Sequence, residues 1–407
     1  MKRRKNILVL THWSYRDPLV QTYTLPYVRL IRKNLPADAN LLLVTFDQPS
    51  HAMNEEEILK AKETMKAEGI SLQLFHYFKF NLLAPFRFLG VFLRLFYLLF
   101  RYRIDVIHAW CMPAGSMGYV LSLLTGRELI IDSYEPQAEA MVENGTWERT
   151  SMKFRIQFYL EKKLSHHASI IISATEGMRD YALKKYNVTF AKYYVKPACV
   201  DLEKFHFSED KNSGLRAELG LTNKLVCVYA GKFGGIYLTT EVFRFFHFAQ
   251  SFWGDRFRVL LLTNQGESDL RQWAGISGFD PAKMIVRYVE HSRIPEYLSL
   301  GNFGITPVKP IPTKRYCTPI KDGEYWATGL PVVITKDISD DSQIISDENI
   351  GVVIEELNDE HFSSAVKKLD ALLSDSALRL RSRLAAEKYR NFSIAEKIYS
   401  EVYSGRN

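Results

Sequence analysis

Cysteine is scarce in this 407-residue chain. Cys111, Cys199, Cys227 and Cys317 stand far apart and no two form a CxxC pair, so neither a zinc site nor a disulfide framework is indicated. The expected setting is a reducing cytoplasm, with no cofactor and no metal. A long apolar leader is also missing. Asn6-Ile-Leu-Val-Leu10 follows the basic Met1-Lys-Arg-Arg-Lys5, but the run is too short for a signal peptide and has no small-residue cleavage site. It reads as a basic tail and a first buried strand. Acidic residues are lacking altogether between Gly69 and Asp105, where Arg87, Arg94 and Arg101 recur at steps of seven. Seven residues make nearly two helical turns, so these arginines form one stripe opposite a wide aromatic and leucine face. Two readings stand for residues 86–103, from Phe86 to Arg103. One is a helix lying in an anionic membrane surface, peripheral on its inner face; the other is a sheet-packing helix with a basic outer stripe. Arg87 and Arg94 interrupt the run, which argues against a spanning helix.

What is present is a chain 47% hydrophobic, long enough for two domains with separate cores. The net charge of +7 favours an anionic partner. Nucleic acid is disfavoured, because the basic residues are spread among aliphatic helices and no recognition module stands out. Short apolar runs at residues 7–10, 41–46, 72–75, 106–109, 129–132 and 170–173 alternate with helical stretches such as 54–68 and 154–164. Such alternation predicts a parallel sheet with helices on both faces. After Lys196-Pro197 the pattern restarts, with strands expected at 225–230, 258–262, 284–287, 303–306, 332–335 and 351–354. The expected fold class is α/β, two Rossmann-like doubly wound domains facing a cleft. The domains are 1–197 and 198–390, with a terminal helix within 391–407 packing back on the first.

In open α/β sheets ligands bind beyond the carboxyl ends of strands, where helix N-termini attract anions. One such loop reads Tyr229-Ala-Gly-Lys-Phe-Gly-Gly-Ile-Tyr237. Gly231, Gly234 and Gly235 let a backbone approach a phosphate and Lys232 can neutralise it, although a tight turn uses glycine for steric reasons too. A second stretch carries Thr318, Pro319, Ile320, Lys321 and Glu324. Pro319 can start a helix that Gly329 ends, with Lys321 and Glu324 three apart on one face. A carboxylate there can accept both ribose hydroxyls while the helix start faces a diphosphate; the alternative is an exposed helix pair. In the first half, Asp132 and Glu135 follow a strand, where they either face a reacting sugar or cap the next helix. His108 ends another strand as scaffold or catalyst.

These residues carry a family resemblance. Gly323-Glu-Tyr-Trp-Ala-Thr-Gly-Leu-Pro-Val-Val333 resembles the donor-site signature of glycosyltransferase family 4. Val195-Lys-Pro-Ala-Cys-Val-Asp-Leu-Glu-Lys-Phe205 resembles its interdomain segment, Tyr229-Ala-Gly-Lys232 its glycine-basic loop, and Asp105-Val-Ile-His-Ala-Trp110 a strand end of its first domain. The resemblance spans nearly the whole chain and implies the GT-B fold. It also implies a retaining transferase, hexosyltransferase-like, that moves a sugar from a nucleoside-diphosphate sugar to a glycan or lipid-linked acceptor in polysaccharide or glycoconjugate synthesis. Lys232, Glu324, Asp132 and Glu135 become the catalytic candidates, and Gly231, Lys232, Gly234, Gly235, Thr318, Pro319, Ile320, Lys321 and Glu324 the donor side. Tyr15, Gln21, Thr22 and His108 fall on the acceptor side. Two positions depart from the family: Tyr316 stands where many members carry an acid, and Tyr237 where a lysine is usual. Two rival readings therefore remain, a nucleotide-sugar epimerase or hydrolase of the same fold and a non-catalytic membrane-associated binding protein.

Overall fold

The computed structural model describes residues 5–77, 84–208 and 211–403, with the side chains of residues 84–86 excepted. The basic start at residues 1–4 and the Phe86 side chain lie outside the described residues. The chain divides into two compact units, Met1–Lys196 with Ser393–Asn407, and Pro197–Phe392.

In unit 1 the order is β1 (Ile7–Thr11), α1 (Leu25–Lys33), β2 (Leu41–Asp47), α2 (Glu55–Ala67), β3 (Ser71–His76), α3 (Ala84–Arg101), β4 (Val106–Trp110), α4 (Cys111–Thr125), β5 (Glu128–Tyr134), α5 (Gln137–Glu143), α6 (Met152–His167), β6 (Ile170–Ser173), α7 (Gly177–Tyr186) and β7 (Tyr193–Val195). The strands form one parallel sheet in the order β3-β2-β1-β4-β5-β6-β7. β1, β4 and β6 are buried along their whole length, as expected of strands covered on both faces. Local signals set the helix limits. Asn54 caps α2 with a reciprocal Glu57 bond, and Gly126 ends α4 at φ +66°, a conformation that suits glycine.

Unit 2 runs α8 (Ser213–Glu218), β8 (Leu225–Ala230), α9 (Thr240–Trp253), β9 (Phe257–Leu262), α10 (Glu267–Ser277), β10 (Met284–Arg287), α11 (Ile294–Leu298), β11 (Phe303–Thr306), α12 (Ile320–Ala327), β12 (Val332–Thr335), α13 (Asp341–Asp347), β13 (Gly351–Ile354), α14 (Asp359–Leu373) and α15 (Leu378–Tyr389). Its parallel sheet is ordered β10-β9-β8-β11-β12-β13. One face buries an aromatic core that includes Phe243, Phe246, Trp253, Phe257 and Phe303. The other packs Trp326 and Leu330, with Ala386 of α15, against the sheet. The last helix, α16 (Phe392–Tyr403), follows α15 and packs within unit 1.

One expectation changes. α3 does pack on the sheet, but through a narrow seam of Leu95, Leu98 and Leu99, while Leu93 and Tyr97 are each 62% exposed. The arginine stripe therefore lies beside an exposed apolar stripe, and the face opposite it is only partly buried. A helix of this sequence has more apolar surface than one sheet contact can cover. Among the described residues no helix is long and apolar enough to cross a membrane.

Candidate functional site

In unit 2 the glycine loop leaves the carboxyl end of β8. A Cβ on Gly231 would lie 2.6 Å from Cε of Lys321 and 2.9 Å from the Tyr229 hydroxyl, both inside van der Waals contact, so any side chain there would displace one of the two. Gly234 and Gly235 turn the loop at φ +76° and +61° with open space around them, which leaves backbone free for a ligand to approach. The Tyr229 hydroxyl donates to the Lys232 carbonyl, and the exposed Lys232 side chain extends from this pinned backbone.

α12 supplies the facing residues. Pro319 is its N-cap, in extended conformation. From the first turn the Lys321 ammonium reaches back across Gly231 and donates to the Tyr237 hydroxyl at 3.1 Å, 4.7 Å from the ring centroid. Glu324 is 8% exposed, and its Oε1 lies 3.9 Å from His291 Nε2. The Lys204 ammonium approaches His291 Nδ1 at 2.8 Å. An ammonium can only donate, so Nδ1 accepts and the ring proton sits on Nε2, turned toward Glu324. Thr318 Oγ1 accepts from Ser339 at 3.4 Å. Lys314 is largely buried and its carbonyl accepts from the Ser339 amide.

Beneath these groups lies a network that sequence reasoning did not single out. Asp322, fully buried, accepts from the Thr306 hydroxyl at the end of β11. Asp341, equally buried, pairs with Arg390. Burial pushes both carboxyls up, against the opposing pull of the Arg390 guanidinium. Two acids facing one guanidinium retain a proton between them more readily than free carboxylates do. The network fixes the start of α12 on β11 and so aims Lys321 and Glu324. On the next turn Tyr325 lies against Gly304 and its hydroxyl accepts from the Ala230 amide at 3.2 Å. The only sequence signal was the position of Asp322 in the same motif.

Unit 1 places its candidates differently. Asp132 and His108 are both fully buried. Asp132 Oδ1 takes the Lys196 ammonium at 3.1 Å and the Ser133 amide at 2.6 Å. Its Oδ2 takes His108 Nε2 at 3.2 Å and the Tyr399 hydroxyl at 2.7 Å. Tyr403 bonds His108 Nδ1 from the other side. Lys196 is itself buried, 3.5 Å from the Tyr27 ring centroid and 4.7 Å from that of Trp110. Burial alone would raise the Asp132 carboxyl, but Lys196, His108 and Tyr399 hold it down at about 2. Asp132 is thus enclosed in the core of unit 1 and does not cap α5, one of the two roles expected for it. Its hydrogen-bonding capacity is spent on Lys196 and on α16, and α5 starts at Pro136 without a side-chain cap. His108 is buried in the same way, with both ring nitrogens bonded within unit 1.

Glu135 is half-buried near the start of α5 and remains the accessible carboxylate of that pair. Tyr15 is buried, Gln21 donates to the Tyr15 carbonyl at 2.5 Å and the Thr22 hydroxyl to the Pro18 carbonyl at 2.7 Å. These three shape the loop after β1 and a π-helical turn at Val20–Thr24. Among the described residues no three His, Cys, Asp or Glu side chains are grouped as metal ligands would be.

Residues 286–372 match the family described as glucosyltransferase 3-like, C-terminal domain. No curated protein matches the chain by sequence. Among solved structures, Anabaena HepE in complex with UDP is similar at TM-score 0.71 and 15% identity, over 98% of this chain and 100% of that one. Sucrose-phosphate synthase from Thermosynechococcus elongatus is similar at TM-score 0.71 and 15% identity, over 99% and 98%. WaaG, a glycosyltransferase involved in lipopolysaccharide biosynthesis, is similar at TM-score 0.69 and 13% identity, over 98% and 100%. The fold is GT-B.

Proposed function

We propose that this chain is a glycosyltransferase of the family 4 type, taking a sugar from a nucleoside diphosphate on unit 2 and passing it to a glycan or lipid-linked acceptor on unit 1. One observation carries the reading: Lys321 crosses Gly231 to meet Tyr237, so an ammonium from α12 lies against the glycine loop that carries Lys232 and lacks the usual lysine.

Transfer breaks the bond between the anomeric carbon and the diphosphate. Charge builds on the departing phosphate oxygens while the sugar becomes oxocarbenium-like, so the chemistry needs positive charge fixed in advance at the diphosphate. Lys232, Lys321 and the free amides at the start of α12 supply it. Glu324 is the acceptor for the ribose hydroxyls. Glu135 is the remaining candidate on the acceptor side. The similar HepE structures hold UDP and UDP-glucose, which makes uridine diphosphate sugars the first donors to test. Retention of anomeric configuration and a role in surface polysaccharide synthesis belong to the same proposal.

The test is calorimetric titration with uridine, guanosine, adenosine and cytidine diphosphate sugars, followed by turnover on glycan and lipid-linked acceptors. Saturable binding of one donor with sugar transfer is expected. Donor hydrolysis or epimerisation without an acceptor would support the rival enzyme reading, and binding without any turnover the non-catalytic one.

A further inference from the structure

The helical layer on one side of the unit 1 sheet is not used by the donor reading. β1 to β3 step outward in one direction and the chain then returns to β4 on the other side of β1. Right-handed crossovers therefore put α1 and α2 on one face of the sheet, and α3, α4, α6 and α7 on the other. Within that layer α4 packs against α6, and Arg127, just beyond α4, lies 5.7 Å over the Phe100 ring of α3.

Each of these three helices turns large apolar groups to solvent. On α3 they are Leu89, Leu93, Tyr97 and Phe100, spaced as one stripe. Leu123 and Leu124 close α4, and Met152, Ile156 and Tyr159 run along α6. All are more than half exposed. Single exposed apolar residues are ordinary, but stripes on neighbouring helices form a patch.

Charge decides what covers it. α3, α4 and α6 contain a single carboxylate, Glu161, which is fully buried and accepts from the Ala138 amide and the Tyr186 hydroxyl. α3 carries Arg87, Arg94 and Arg101; α6 carries Lys153, Arg155, Lys162 and Lys163. Among the described residues none of these is ion-paired, although Arg16, Arg29, Lys33, Arg179 and Lys185 elsewhere in the unit each meet a glutamate. A second copy of the chain would oppose cation to cation. A bilayer with anionic headgroups accepts both the apolar stripes and the cations, with long basic stems reaching up to the phosphates. We infer that the α3, α4 and α6 face of unit 1 docks on an anionic phospholipid bilayer, with all three helices in contact.

Flotation of the full chain with vesicles tests this. Vesicles containing phosphatidylglycerol should carry the protein, and pure phosphatidylcholine should bind it at least about tenfold more weakly, with the difference falling as salt rises. The double substitutions Leu93→Glu/Tyr97→Glu on α3 and Ile156→Glu/Tyr159→Glu on α6 should each reduce partition by about tenfold or more. Their thermal midpoints should match the parent. No flotation of the parent with anionic vesicles overturns the inference, as does unchanged binding by either pair. Concentration-dependent dimers abolished by the same pairs would also overturn it, by giving the face to a second copy. Nucleotide-sugar titration is independent of this assay, so the donor reading and the docking reading can fail separately.

Discussion

The Lys321 ammonium lies 3.1 Å from the Tyr237 hydroxyl, across a glycine with no room for a Cβ. The two residues are 84 positions apart: Tyr237 lies in the loop after β8 and Lys321 in the first turn of α12. In the proposed function Lys321 takes the place of the lysine that Tyr237 replaces. Removing the ammonium by Lys321→Ala should lower nucleotide-sugar affinity by about 10- to 100-fold, the range for a charge-assisted contact. Tyr237→Phe keeps the ring beneath the ammonium and should lose only a few-fold. Isothermal titration reads both, and equal affinity in Lys321→Ala and the parent removes Lys321 from the donor site.

Gly231→Ala probes the same geometry without touching a charge. The added methyl meets Lys321 Cε and the Tyr229 hydroxyl, so the lysine must swing away or the loop must shift, at about 1–3 kcal/mol. Donor affinity should fall toward that of Lys321→Ala. A double variant no weaker than either single one would show that both act through the placement of one ammonium.

Glu324→Ala and Lys232→Ala should each weaken donor binding strongly with unfolding midpoints near the parent's. Lys232 is exposed and Glu324 faces His291 only at 3.9 Å, so neither holds an ion pair on which the fold depends. Unaltered affinity in both variants sinks the donor-site assignment.

The two buried carboxylate clusters should respond to pH in opposite senses. Asp132 is depressed to about 2 from an ordinary 3.8, so it contributes stability above the ordinary value that is lost as pH falls through 2. The shift corresponds to about 2 kcal/mol. Asp322 and Asp341 are raised; their contribution is full below the ordinary carboxylate range and is lost as pH rises through the raised values. Denaturant melts from pH 2 to 8 should show Asp132→Asn removing the acid-side loss, on top of a cost of about 3–5 kcal/mol at neutral pH for taking the carboxylate away from the buried Lys196 ammonium. Asp322→Asn, which needs no proton, should be nearly neutral at pH 7, whereas Arg390→Met should be severely destabilising.

Most of the fold was legible in the apolar runs. A strand covered on both faces has to be continuously apolar, and β8 and β10 to β13 begin and end where those runs do. β7 escapes the signal because Tyr193–Val195 is three residues long and only half-buried. The local geometry of the candidate donor residues was legible: Gly231, Lys232 and Glu324 sit in short motifs whose shape follows from a strand end and a helix start. Asp132 was not. A carboxylate after a strand looks the same in sequence whether it faces solvent or a buried lysine, and its partner Tyr399 is 267 residues away. α3 was half legible, since periodicity shows that a helix has two faces but not how much of the apolar one a sheet will cover.

The clamp of Tyr399 and Tyr403 on Asp132 and His108 also bears on how the chain is made. A ribosome delivers Asp132 and His108 long before the tyrosines, 267 and 295 residues later. Throughout that interval the charged centre of unit 1 lacks two of its hydrogen-bond partners, while unit 2 is translated in full. Unit 1 is thus completed only after unit 2, and a chain ending between Phe392 and Tyr399 would keep every residue of unit 2 while Asp132 and His108 lacked Tyr399 and Tyr403.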